Sequence, residues 1–218
     1  KFNTVYQLMA LKQEHPDQLA AAKTFLMVPD YLNYLLCGVA ANEYTNASTT
    51  ALVGADSKDW DDALIAMLGL PRDIFQSVKM AGTVLGHLTP EMQAKVGFDA
   101  EVILPATHDT GSAFLAVPAR DEFAAYLSSG TWSLLGVENA AAITSADSCV
   151  ANFTNEGGYE YRYRYLKNIM GLWMIQSVRR ELGEQNGTRP SFPELIAAAK
   201  EAADFASCVD PNDSRFLA

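Results

Sequence analysis

Cysteine is scarce in this sequence: Cys37, Cys149 and Cys208 are the three present, far apart and without a C-x-x-C pair. That spacing excludes the common zinc patterns and a disulfide framework, and it fits a reduced, cytoplasmic setting. Positive charge is short as well. Lys plus Arg number 16 against 26 Asp plus Glu, a formal net charge of -10. This balance argues against a nucleic acid or an anionic membrane as partner, since phosphate-rich surfaces need a basic face. A single nucleotide remains admissible, because backbone amides and one divalent ion can hold a triphosphate locally. No apolar run approaches the ~20 residues that span a bilayer. Lys1-Phe2-Asn3-Thr4 offers neither an initiator Met nor a signal-peptide pattern, so a fragment of a longer polypeptide is expected.

What is present is an ordinary globular composition, 49% hydrophobic and 19% charged over 218 residues, enough for one or two domains. Thr4-Val5-Tyr6-Gln7 has capping-box spacing, and the helix it opens should stop before Pro16. A strand or buried turn is expected at Phe25-Val28, then a helix over Asp30-Leu36 closed by Gly38. Asp59 is expected to cap a helix carrying Trp60, Leu64 and Met67. Thr83-Leu88 reads as a strand, and Thr89-Pro90 opens a helix ended by Gly97. Glu101-Thr107 reads as a buried strand running into His108-Asp109-Thr110-Gly111-Ser112 and a helix to Val117.

Beyond the boundary signal at Pro118-Glu122 the texture changes. Ala124-Ser129 and Thr131-Glu138 read as strands joined at Gly130, and Tyr159-Leu166 as an exposed, striped strand. Asn168 is expected to cap a helix ended by Gly183, and Ser191-Phe192-Pro193-Glu194 to cap a last one. Strands mixed with helices, then clustered strands, point to an α/β assembly with partly antiparallel sheet.

Asp109 stands where an apolar strand meets a helix, the edge at which ligands gather in open α/β sheets. Its carboxylate can take the proton of an alcohol attacking phosphorus, or it can simply cap the helix. His108 can bond a sugar hydroxyl or be structural. Ser128-Ser129-Gly130-Thr131 can cradle a phosphate or form an ordinary hairpin. If Asn168 and Gln176 share one helix, they lie about 80° apart around it and ~12 Å along it, within reach of two ends of a ligand pair. The plainer reading is a cap and a solvated glutamine. Glu43-Thr50 can be a rigid loop near a substrate or a surface turn held by side-chain-to-backbone bonds.

In order along the chain, these segments resemble the FGGY carbohydrate kinases. Tyr44-Thr45-Asn46-Ala47-Ser48 is similar to the family's T-N-A-S stretch. Asp109 within His108-Asp109-Thr110-Gly111-Ser112 matches the catalytic aspartate, and Ser129-Gly130-Thr131-Trp132-Ser133 the second phosphate loop. Asn152-Gly158 and Leu166-Trp173 are similar to the branch acting on L-rhamnulose; other branches take xylulose, fuculose or glycerol. The resemblance implies an actin-like, ribonuclease-H-like ATPase fold, with parts of two domains flanking a cleft. Residues 1–117 would be the later part of the first domain and 118–218 the start of the second. It implies ATP and Mg2+ as cofactors and a small sugar as substrate. Asp109 would be the catalytic base, with His108, Thr110 and Asn168 at the sugar and Thr131 and Gln176 at ATP; no residue here is assigned to a metal. The family's first phosphate loop and its adenosine segment are missing, so the remaining kinase segments are needed for a complete site. A non-catalytic actin-like binding module is the reading from another class.

Overall fold

The computed structural model describes residues 3–130, 133–204, 207–210 and 213. The chain divides into two compact units, one of residues 1–124 with 137–166, the other of residues 125–136 with 167–218.

The larger unit begins with helices α1 (Thr4–Glu14), α2 (Pro16–Ala21) and α3 (Val28–Cys37). Proline sets the first break. Pro16 pushes His15 out of the helix and then starts α2 from its own first position. The expected capping box at Thr4 does not form: Asn3 is the cap residue, and its side chain donates instead to the Thr49 carbonyl at 3.0 Å. Strand β1 (Asn42–Glu43) leads into the short helix α4 (Tyr44–Ala47) and a 3-10 turn at Ser48–Thr50. Helix α5 (Asp62–Met67) follows, capped by Asp61 rather than Asp59, because Trp60 is drawn into a bridge with Val53. Around Trp60 a core gathers from Leu8, Leu19, Leu52, Ile65, Ile74 and Phe75. The rings of Phe25 and Phe75 lie 6.0 and 5.0 Å from that of Trp60. Trp60 Nε1 donates to the Gln76 carbonyl at 2.6 Å, so the polar edge of the indole is satisfied inside.

Strand β2 (Val78–Lys79) pairs parallel with β1, and β3 (Val84–His87) antiparallel with β4 (Glu101–Ile103), across helix α6 (Pro90–Val96). The expected buried strand over Glu101–Thr107 is shorter and one-sided: Val102 is buried while Glu101 and Ile103 are exposed. Leu104 and Ala106 continue the buried line beyond it and deliver the chain to α7 (Asp109–Ala116).

Strands β5 (Ala125–Ser129) and β6 (Ser133–Asn139), helix α8 (Ala146–Val150), and strands β7 (Phe153–Gly157) and β8 (Tyr163–Ile169) follow. The sheet order is β5-β6-β8-β7. Tyr159–Leu166 is not the exposed strand expected. Tyr159–Tyr161 is a 3-10 turn, and Tyr163, Arg164 and Leu166 are buried.

In the smaller unit, helix α9 (Gly171–Asn186) starts later and ends later than expected. Asn168 lies in β8, and Met170 precedes the helix; its early amide at Leu172 donates to the Gly130 carbonyl at 3.2 Å. Gly183 stays inside the helix, where a Cβ would meet Arg189 at 3.0 Å, and Gly187, with φ 72°, makes the left-handed stop. Helix α10 (Phe192–Glu201) has the expected capping box between Ser191 and Glu194.

Candidate active site

The site is built outward from a buried carboxylate. Asp30 on α3 is 1% exposed and accepts the Glu43 backbone N–H at 3.1 Å and the Asn42 side-chain amide at 3.2 Å. Burial raises its pKa to about 7, with the Glu43 charge adding to the rise against those hydrogen bonds. Glu43, itself fully buried, caps α4 by accepting from the amides of Thr45 and Asn46. The same carboxylate accepts the Thr45 hydroxyl and, from the far side, the Thr107 amide at 3.0 Å and hydroxyl at 3.1 Å. Thr45 Oγ1 then accepts the His108 amide at 3.2 Å. The segment Glu43–Thr50 is therefore no surface turn. Tyr44, Thr45 and Ala47 are buried, and the segment clamps the chain leading into α7.

On that clamp sit His108, Asp109 and Thr110, the three adjacent residues predicted at the sugar. His108, not Asp109, is the cap residue of α7: its Nδ1 accepts the Gly111 amide at 3.4 Å. Asp109 is left in the first helical turn with its side chain 97% exposed. Its Oδ1 accepts the Thr110 amide at 2.6 Å and the Thr110 hydroxyl at 3.3 Å. Thr110 is buried, so its contact in this structure is with the aspartate rather than with solvent.

Sequence reasoning missed Arg164. Its side chain is fully buried; Nε and Nη2 donate to the Gly157 carbonyl at 3.1 and 3.0 Å. Nη1 lies 3.1 Å from Glu156 Oε2 and donates to His108 Nδ1 at 3.2 Å. Burial holds the His108 pKa below its usual value, and the Arg164 charge pushes the same way; Glu156, Asp109 and Glu43 oppose them. Ser48 and Tyr44 tie the neighbourhood together. Ser48 Oγ accepts the Gly157 amide at 2.8 Å, and the Tyr44 ring fills the space beside Gly157. A glutamate eight residues before an arginine, on paired strands, was the available signal. The alternating aromatic residues around Arg164 made it look like a solvated stripe.

Asn168 and Gln176 belong to the smaller unit. Asn168 is half-buried in β8 and Gln176 exposed on α9, so the shared-helix geometry expected of them does not exist. Thr131 lies outside the described residues. Among the described residues there is no group of three or more His, Cys, Asp or Glu that could hold a metal ion. None of the described helices is long and apolar enough to cross a membrane.

Residues 1–116 match the FGGY family of carbohydrate kinases, N-terminal domain, and residues 125–218 match its C-terminal domain. The chain belongs to the FGGY family of carbohydrate kinases. A protein of Halalkalibacterium halodurans named rhamnulokinase is 55% identical over 217 residues, covering 100% of this chain and 45% of that protein. Rhamnulokinases of Oceanobacillus iheyensis and Yersinia pestis are 53% and 45% identical, with 45% and 43% of their lengths covered. This FGGY chain thus spans less than half the length of the curated relatives it matches. Its fold is the actin-like ATPase fold of the family's solved structures. The xylulose kinase of Lactobacillus acidophilus superposes with a TM-score of 0.79 at 18% identity, over 92% of this chain and 40% of that one. A Plasmodium falciparum glycerol kinase with ADP gives 0.73 at 15% identity, over 91% and 40%.

Proposed function

We propose that this chain is the central part of an ATP-dependent kinase that phosphorylates the 1-hydroxyl of L-rhamnulose, with Asp109 as the general base. The observation that carries the reading is the Asp109 carboxylate. It is exposed at the start of α7, yet it is anchored through Thr110 and, by way of His108, to a buried hydrogen-bond clamp. A carboxylate held in the open is what an incoming alcohol needs. It accepts the hydroxyl proton as the sugar oxygen attacks the γ-phosphorus and the ADP oxygen leaves. The transition state of phosphoryl transfer is loose, so correct placement of the base contributes more than its strength.

His108, Thr110 and Asn168 are the proposed sugar contacts, Thr110 partly through its hold on Asp109. Thr131 and Gln176 are the proposed nucleotide contacts. Residues 1–117 would belong to the first kinase domain and 118–218 to the second. Mg2+ would reach the site on the triphosphate, and a cytoplasmic location fits the metabolite substrates. L-rhamnulose is favoured by the 45–55% identity to proteins named rhamnulokinase; the xylulose and glycerol kinases are similar in fold alone.

A coupled ADP-release assay of the complete parent protein against L-rhamnulose, L-fuculose, D-xylulose and glycerol tests this. The reading expects L-rhamnulose to give the highest kcat/KM and fails if it is not turned over. The 218-residue chain by itself is expected to give no turnover, because the first phosphate loop and the adenosine segment are not part of it.

A further inference from the structure

Arg164 is the largest fully buried side chain among the described residues, and it is cationic. Such a group is costly to bury without partners. Two of its donors are spent on the Gly157 carbonyl, and Nη1 donates to the ring nitrogen of His108 while lying 3.1 Å from Glu156 Oε2 as an ion pair. Phe114 of α7 covers its face, with the ring centroid 6.0 Å away. A Cβ on Gly111 would come within 3.4 Å of the guanidinium carbon and 3.3 Å of Thr45. Glycine at that position lets α7 approach the arginine.

A guanidinium has only donors, and so does the Gly111 amide. Both are aimed at His108 Nδ1, at 3.2 and 3.4 Å. A nitrogen facing two donors cannot carry a proton of its own, so the ring's single proton must sit on Nε2. We infer that Arg164 is a positioning residue that fixes His108 as its neutral Nε2–H tautomer. His108 then offers a sugar hydroxyl a hydrogen-bond donor beside the Asp109 acceptor. The tautomer follows from the contacts alone; its use toward the sugar rests on the kinase reading above. One donor and one acceptor on adjacent residues recognise a pair of neighbouring hydroxyls, one bound through its oxygen and one through its proton.

The charged groups around the ring work in two directions. Arg164 and burial favour the neutral form, while Glu156 on β7, Glu43 ahead of α4 and Asp109 on α7 favour the cation. Glu138 acts on the arginine itself. Removing the arginine therefore both frees Nδ1 and leaves three carboxylates to draw a proton onto the ring.

The test is nitrogen-15 NMR of the full-length parent labelled at histidine, with the His108 signals assigned by their loss in His108→Gln. The expected wild-type signal for His108 is the Nε2–H tautomer, protonating only below the ordinary histidine value of about 6.5. Arg164→Gln should mix the tautomers and move the midpoint upward. Arg164→Lys, which can still donate to Nδ1, should restore the wild-type tautomer. Glu156→Gln keeps the arginine and should leave the tautomer unchanged while lowering the midpoint further. This last variant and the wild-type spectrum decide the matter even if Arg164→Gln does not fold. A wild-type proton on Nδ1, or a His108 midpoint that Arg164→Gln leaves in place, would overturn the inference. The expected tautomer in a parent that phosphorylates no sugar would count against the kinase reading and leave the role of Arg164 toward His108 standing.

Discussion

Glu43 and Thr107, 64 residues apart, meet on a single carboxylate oxygen that accepts both the amide and the hydroxyl of the threonine. That oxygen also takes the Thr45 hydroxyl, so one buried side chain joins α4 to the segment that presents Asp109. The exposed aspartate is thus placed through Glu43 and Thr45, both fully buried.

Thr45→Val keeps the shape of this joint and removes its hydroxyl. The His108 amide then loses its acceptor and Glu43 one of its donors. Leaving a buried donor unsatisfied costs about 1–3 kcal/mol. The expected result is a lower thermal midpoint for the variant, and in the full-length parent a raised KM for the sugar with the KM for ATP little changed. An unchanged midpoint would remove Thr45 from the clamp.

Gly157→Ala tests the packing beside the site. Its Cβ would lie 2.6 Å from Tyr44 Cε1 and 2.9 Å from Cζ. The Tyr44 ring is 1% exposed and also stacks edge-on against Tyr161 at 5.0 Å, so it has little room to move. Overpacking of this kind costs typically 1–3 kcal/mol, measured as a drop in the urea midpoint at constant slope. A midpoint equal to wild type would mean that the ring yields freely.

Asp30 makes stability depend on pH. Its folded pKa is raised to about 7 from 3.8, so the folded state holds the proton more tightly than the unfolded one. The resulting stabilisation is complete below the unfolded value and disappears as pH rises through about 7. Asp30→Asn cannot titrate, yet its carbonyl can still accept the Glu43 amide. Its amide can serve the Asn42 oxygen, which has no partner, once the Asn42 amide turns over. Relative to this variant, wild type should lose on the order of 2 kcal/mol between pH 5 and pH 8. Comparing the two proteins cancels the His108 contribution, which runs the other way. Parallel pH profiles would show that Asp30 is ionised throughout.

Much of the scaffold could be read from the sequence where a local rule decides. Pro16, Gly38, Gly97 and the Ser191–Glu194 box end or begin helices where expected, because each acts on its own backbone. Readings that depended on distant partners failed. Asn168 looked like a cap, but strand pairing carries β8 past it, and Gly183 looked like a stop, but the helix runs on to Gly187. The site followed the same division. His108-Asp109-Thr110 is contiguous and stands out as one run; Arg164 acts across 56 residues, through burial that no local pattern announces. Glu43 was placed in a turn because a polar run ordinarily faces water, and only its many donors explain its burial.

The central claim is that the Asp109 carboxylate takes the proton of the attacking hydroxyl, and Asp109→Asn in the full-length parent tests it most directly. The change preserves size and the bond to the Thr110 amide while removing the basic oxygen. Steady-state kinetics with L-rhamnulose and ATP should give a kcat lower by about 10²- to 10⁴-fold, with sugar affinity by calorimetry largely kept. A kcat within about tenfold of wild type, below what a general base ordinarily contributes, would contradict the assignment.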